Sequence, residues 1–252
     1  MKTSAVFLAG LLALPAMAWA AAPTAGMKAA VADSNRPAAD VARDENRKPA
    51  QMLAFAGITP GKVVVDMLPG GGYFTRIFAK AVEPGGRVYA YIGSFGDARI
   101  KAQGKDPDNQ FADLKMTYKN LGVIHGPLDG FVTPEPVDVV WTSQNYHDLH
   151  NKQYAMDVNE VNKSIFKSLK PGGYYVIIDH AAAETAGDDV TETLHRMKES
   201  TTKTEVEAAG FKLVAEGHDL SFPGDDETKR VFDAGVRGKT NQFMLKFQKP
   251  RH

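Results

Sequence analysis

The sequence predicts an α/β domain: a doubly wound, seven-strand, mostly parallel sheet that ends in a C-terminal antiparallel hairpin. Three observations carry this. Short apolar runs alternate with segments whose apolar residues recur at helical spacing. The first run, VVVDML, ends in a glycine cluster at 70–72. The last two runs, FKLVAEG and QFMLKFQ, have no helical pattern between them, so they pair directly.

The chain opens on MKTSAVFLAGLLALPAMAWA, with one cation (Lys2), an apolar run from Ala5 to Leu14, and the small-x-small ending Ala18-Trp19-Ala20. This pattern predicts a signal peptide over 1–22 and a periplasmic or secreted protein. A membrane anchor needs about 20 unbroken apolar residues. Pro15 interrupts a shorter run, so no membrane association is expected after cleavage. There is no cysteine, hence no disulfide and no lipid-anchored N-terminus. Lys plus Arg equals Asp plus Glu at 30 each, without a dense basic run, and nucleic acid is not an expected partner.

Residues 23–49 form a leader with a candidate lid helix, and the domain proper spans 50–252. The Ala-rich stretch 21–36 reads as flexible; 37–57 reads as helical, broken by Pro49. VVVDML (63–68) is a strand buried on both faces. Phe74, Ile77, Phe78, Ala81 and Val82 make the helix after it, and RVYAYI (87–92) is the second strand. A helix over 111–121, a weak strand over 123–128 and a strong one over 137–143 follow. Val158, Val161, Ile165, Phe166 and Leu169 mark a helix before strand 174–179, and a helix over 194–209 ends at Gly210.

Ligands in such sheets settle at the carboxyl ends of the strands, where the winding reverses. Gly70, Gly71 and Gly72 stand there, and backbone without side chains next to a helix N-terminus suits a polar or anionic group. A tight turn is the plainer alternative. The loop lacks the Gly-Lys-Ser/Thr of phosphate-gripping loops, and it ends on Thr75 where a dinucleotide loop wants a third glycine.

At this point residues 50–250 resemble the class I, Rossmann-like S-adenosylmethionine-dependent methyltransferases, most of all the exported bacterial subgroup. Asp66, Gly70 and Gly72 match their first motif, with Leu68 where its first glycine is usual. Val137-Asp138-Val139-Val140, Leu169-Lys170-Pro171-Gly172-Gly173 and Glu207-Ala208-Ala209-Gly210-Phe211 match three further blocks. The resemblance implies S-adenosylmethionine as cofactor and a small-molecule acceptor. It places Asp66, Leu68, Pro69, Gly70, Gly71, Gly72, Tyr73, Ile92, Asp129 and Asn145 around the cofactor. Two positions depart from the family: Ile92 stands where an acid holds the ribose hydroxyls, with Asp97 several residues late. Pro127 stands in the adenine-side slot, with Asp129 two residues on.

Methyl transfer asks mainly for alignment, and an oxygen nucleophile also needs a base. His147, in NYHDLH after the fourth strand, is the leading candidate; Asp148 and His150 orient it or line the mouth, and His180 is a second candidate. A packing or capping histidine is the plainer reading. These groups with Asp179 match no standard ligand spacing, so no metal is expected. His195, Arg196 and Lys198 lie within reach of a substrate, and Tyr73 and Tyr146 are stacking or core residues. Arg43 to Lys48 reads first as a solvated charged face, second as a lid. Two alternatives remain: a non-catalytic ligand-binding descendant of the same fold, and a nicotinamide-dependent oxidoreductase, which the missing third glycine and ribose acid disfavour.

Overall fold

The computed structural model describes residues 22–251; the expected signal peptide lies outside the described residues except for Ala22. Along the chain run α1 (Ala25–Val31), α2 (Ala38–Val41), α3 (Asp44–Arg47), α4 (Pro49–Ala56), β1 (Val63–Met67), α5 (Tyr73–Ala81), β2 (Arg87–Gly93) and α6 (Ser94–Ala102). Then come α7 (Ala112–Thr117), β3 (Leu121–Gly126), β4 (Val137–Ser143), α8 (Val158–Ser168), β5 (Leu169–His180), α9 (Val190–Thr193), α10 (Glu199–Ala208), β6 (Lys212–Gly217) and β7 (Gln242–Gln248).

The strands form one sheet in the order β3-β2-β1-β4-β5-β7-β6. The first five are parallel, while β7 runs antiparallel to both β5 and β6. In β1, Val64 faces one core with Val88, Val139, Trp141 and Val176. Val63 and Val65 face the other with Tyr89, Val140, Tyr175 and Ile177. Burial on both faces is why that strand reads as an unbroken apolar run.

The structure departs from the sequence reading in several places. Within the stretch expected to be flexible, α1 forms: Thr24 caps it, accepting from the Met27 amide at 3.3 Å, and Met27 and Ala30 enter the core. The segment 37–57 is three short helices: the expected break falls at Pro49, where Lys48 turns to φ +44°, and a second separates α2 from α3 at 42–43. The helix α6 was not expected, since none of its residues is buried and no apolar face marks it. The strand expected over 123–128 lies two residues earlier, at Leu121–Gly126. The helix expected over 194–209 is shorter, forming only as α10 from Glu199; α9 lies ahead of the expected span, and His195 at φ +55° falls between the two.

Candidate active site

The chain winds from β1 to β2 on one side of β1, and β4 lies on the other, so the switch point falls beyond the carboxyl end of β1. The loop there is built on left-handed residues: Leu68 at φ +59°, Gly70 at +55° and Gly72 at +80°. Leu68 adopts the conformation a glycine would take more readily. Its amide donates to Tyr91 O at 2.9 Å, and its carbonyl accepts from Asn145 Nδ2 at 3.1 Å.

The three glycines divide their work. A side chain on Gly70 or Gly71 would meet nothing within 4 Å, so their backbone faces open space. A Cβ on Gly72 would lie 2.9 Å from Phe111 and 3.0 Å from Leu114. That glycine is a packing requirement.

The open side is a cleft. Leu68, Pro69, Gly70, Ile92, Phe95, Arg99, Gln110, Asn145 and Asp148 line a cavity of about 110 Å³. It shares Gly70, Arg99 and Gln110 with a trough of about 610 Å³ that also reaches Gly71. Phe95 further borders a hollow of about 550 Å³ containing Asp129 and Tyr154, on whose ring it stacks at 4.3 Å. Drug-sized ligands occupy roughly 300–1,000 Å³, so the enclosed part alone is small and the trough supplies the room.

Behind the loop, Asp66 is buried and accepts from Thr75 Oγ1 at 2.6 Å. Burial pushes its pKa up to about 7. Above it, Arg47 reaches Ser143 Oγ (3.3 Å) and Gln144 Oε1 (3.4 Å), its guanidinium over the rings of Tyr73 and Phe74. Desolvation lowers its pKa to about 10. Tyr73 is buried and donates its hydroxyl to Asp44, which also pairs with Arg36 at 2.6 Å; Arg76 holds Asp40 at 3.0 Å. These pairs fasten 36–47 onto α5, so the segment read first as a solvated face is built into the body. Tyr73 serves this attachment and does not line the cleft.

Ile92 is buried and lines the cavity in the slot where an acid is usual. Asp97 does not fold back to replace it: in α6, its carboxylate lies 2.8 Å from His125 Nδ1.

At the far wall, the turn after β4 and the end of β5 meet. The carboxylate of Asp179, fully buried, lies 2.9 and 3.1 Å from His147 Nδ1 and accepts from the amides of His147 (2.7 Å) and His180 (2.8 Å). These donors hold Asp179 below the ordinary carboxylate range against the opposing effect of burial. Although desolvation pulls the other way, the two neighbouring carboxylates, Asp179 foremost, raise the pKa of His147 above 6.5. Its Nε2 lies 3.6 Å from Asp148, and its ring centroid is 5.6 Å from that of His195. His180 turns away: its Nδ1 is 2.6 Å from Thr240 Oγ1, and burial depresses its pKa to about 3, which keeps it neutral. His150 pairs with Glu205 at 3.1 Å.

The structure thus gathers Leu68, Pro69, Gly70, Ile92, Asn145 and Asp148 on one cavity, with Gly71 on the trough beside it. Asp129 lines a neighbouring hollow; Asp66 and His147 stand behind the walls. Sequence reasoning missed Arg99, Phe95 and Gln110, which reach the cleft from α6 and the turn after it.

No family model matches the chain. A ubiquinone/menaquinone biosynthesis C-methyltransferase, UbiE, of Hydrogenovibrio crunogenus is 27% identical over 127 residues, which are 50% of this chain and 45% of that protein. The match therefore spans less than half of the curated relative. Among solved structures, a SAM-dependent methyltransferase from Aquifex aeolicus superposes with a TM-score of 0.57 at 19% identity, over 88% of this chain and 97% of the other. A "possible exported protein" from Bordetella parapertussis does so with a TM-score of 0.51 at 16% identity, over 86% and 71%. The seven-strand sheet with its antiparallel C-terminal pair is the fold of the class I methyltransferases.

Proposed function

We propose that this chain is an S-adenosylmethionine-dependent methyltransferase acting on a small-molecule acceptor outside the cytosol. The observation that carries the reading is the open main chain at Gly70 and Gly71, set at the switch point and bordered by a cleft. The 27% identical C-methyltransferase supports the activity. Export rests on the N-terminal pattern of the sequence, and the Bordetella structure is in keeping with it. Among the described residues, no helix is long and apolar enough to cross a membrane.

The residues present fit such a donor. The bare loop from Leu68 to Gly71 can take its polar end, Asn145 fixes the loop from across the cleft, and Ile92 and Phe95 offer apolar surface to a nucleoside. The bound donor would supply a methyl group already activated on a sulfonium. The chain's part is to align the acceptor and take its proton. Asp179 fixes the His147 ring through Nδ1, leaving Nε2 as the basic atom next to Asp148 at the cavity wall.

Titrating S-adenosylmethionine and its demethylated product into the purified protein tests this. A ligand at 100 times its Kd stabilises by about 2.7 kcal/mol, or a rise in Tm of roughly 5–10 °C for a domain of this size. No heat and no thermal shift at millimolar ligand would reject the donor. Ile92 in the ribose slot favours a second reading, a binding protein that kept the fold and lost the donor. A different small molecule carried by the native protein would support that one.

A further inference from the structure

We infer that His147, Asp148 and His195 form a divalent transition-metal site at the wall of the cleft. Among the described residues, one ligand atom from each of the three lies within 4.8 Å of the others. The His147 imidazole is buried, and its Nε2 has no hydrogen bond, only the Asp148 carboxylate at 3.6 Å. That distance is too long for a hydrogen bond. It is close to the roughly 3.4 Å that separates two ligand atoms on a tetrahedral ion with bonds of about 2.1 Å. His195 closes the set after a side-chain movement of about an ångström by the same geometry.

Three independent features support an ion at this point. First, Asp179 grips His147 through Nδ1, which fixes the tautomer that leaves Nε2 free for a metal. The carboxylate–histidine pair is the usual backing of a metal-binding imidazole. Second, His195 is held at φ +55°, a conformation unfavourable for a residue with a Cβ. It is locked there because Arg196 beside it is fully buried, bonded to Asp225 at 2.7 and 2.9 Å and to the carbonyls of Ala181 and Lys229. Met197 is bridged to the end of β5 by its amide on His180 O. Third, neither the Asp148 carboxylate nor the His195 ring makes a hydrogen bond among the described residues. Three side chains that offer metal-ligating atoms thus converge without a hydrogen bond between them.

Two imidazoles and one carboxylate suit Zn²⁺ or another borderline ion over Mg²⁺ or Ca²⁺, and three protein ligands leave positions open. Asp148 lines the cavity, so the open side faces the cleft. Resting on the methyltransferase reading, the acceptor would be a molecule that presents an ionisable oxygen to the ion. The ion would then lower the pKa of that oxygen in place of direct proton uptake by His147 Nε2, with Arg99 on the same cavity to balance negative charge. The one other such cluster among the described residues, Glu199, Glu216 and His218, is not comparable: Lys203 already pairs with both carboxylates, at 2.8 and 3.1 Å.

The test is titration of chelator-treated, full-length mature protein with Zn²⁺ by calorimetry and with Co²⁺ by visible absorption, in the absence of any donor. One equivalent of either ion should bind, with the Co²⁺ spectrum showing the intense bands of low coordination, while Mg²⁺ competes poorly. Asp148→Ala and His195→Gly, the latter suited to the left-handed backbone, should each weaken binding by more than about tenfold; His218→Ala should leave it unchanged. The inference is overturned if no stoichiometric ion binds, or if binding survives both site variants, provided their circular dichroism and Tm match the parent. The donor titration, run on metal-free protein, fails or succeeds separately.

Discussion

Gly71 and Gly72 are adjacent, yet the structure gives them opposite roles, and exchanging each in turn separates ligand binding from folding. At Gly72 the backbone sits at φ +80°, and a Cβ would press on Phe111 and Leu114 at about 3 Å. The left-handed conformation alone costs a residue with a side chain about 1–2 kcal/mol. The buried Phe111 ring must also give way, which adds to that cost. Gly72→Ala should therefore lower Tm by roughly 2–8 °C or more. Gly71 has neither constraint: its φ is not positive, and a Cβ meets nothing within 4 Å. Gly71→Leu should leave Tm within about 2 °C of the parent, as surface changes usually do. It should nonetheless weaken S-adenosylmethionine by at least tenfold, because the side chain projects into the trough the donor must use. Calorimetry and thermal unfolding on the two variants decide it. If Gly71→Leu binds the donor as tightly as the parent, the loop is a turn and the reasoning fails.

Arg196→Met should destabilise by about 3–5 kcal/mol, since it strands the fully buried Asp225 carboxylate; urea unfolding reads this. Asp179→Asn should lower the pKa of His147, whose rise above 6.5 owes most to that carboxylate, so the acid limb of a methyl-transfer profile should move to lower pH. Two buried groups should give opposite pH slopes to stability. Asp66 is protonated in the folded state up to about 7 but ionised above 3.8 when unfolded, so its contribution falls as pH rises from 4 to 7. His180 stays neutral down to about 3 when folded but protonates below 6.5 when unfolded, so its contribution rises from pH 3 to 6.5. Asp66→Asn should thus make stability climb more steeply between pH 4.5 and 6.5, and His180→Gln should make it climb less or fall; parallel profiles would refute both assignments.

Elements whose signal is local and apolar were legible in the sequence. The runs of β1, β4 and β5 bury both faces, and the residues of α5 repeat on one stripe, so composition and period agree with the packing. The antiparallel pairing of β6 with β7 followed from the missing crossover. What failed was structure held by polar contacts across distance. Nothing in RDENRK shows that Arg36 and Tyr73 will converge on Asp44, turning a charged stretch into an attached segment. Helix α6 buries none of its residues fully and carries Gly96 within it, so no pattern announces it, although its Arg99 and Phe95 define the cleft. The site had the same limit: His147 was legible by its place after β4, whereas its pairing with Asp179 at the end of β5 joins residues 32 positions apart.

That pairing also bears on how the cleft divides its chemistry. In the half formed by the ends of β1 and β2, the lining is backbone and apolar side chains, with Ile92 where a charged contact is usual; Arg99 and Gln110 reach it from α6 and the turn beyond. In the half formed by the ends of β4 and β5, charge is concentrated: Asp179 fixed by three donors, His147 fixed by Asp179, Asp148 at the wall and His195 strained into place. Buried polar groups are retained at the expense of stability unless each is satisfied. Here Asp179 is satisfied, whereas His147 Nε2, the Asp148 carboxylate and the His195 ring make no hydrogen bond among the described residues, and Asp148 borders the cleft. A packing histidine would need no such arrangement. The arrangement is what the proposed base or ion at His147 requires, and it does not depend on which molecule occupies the other half.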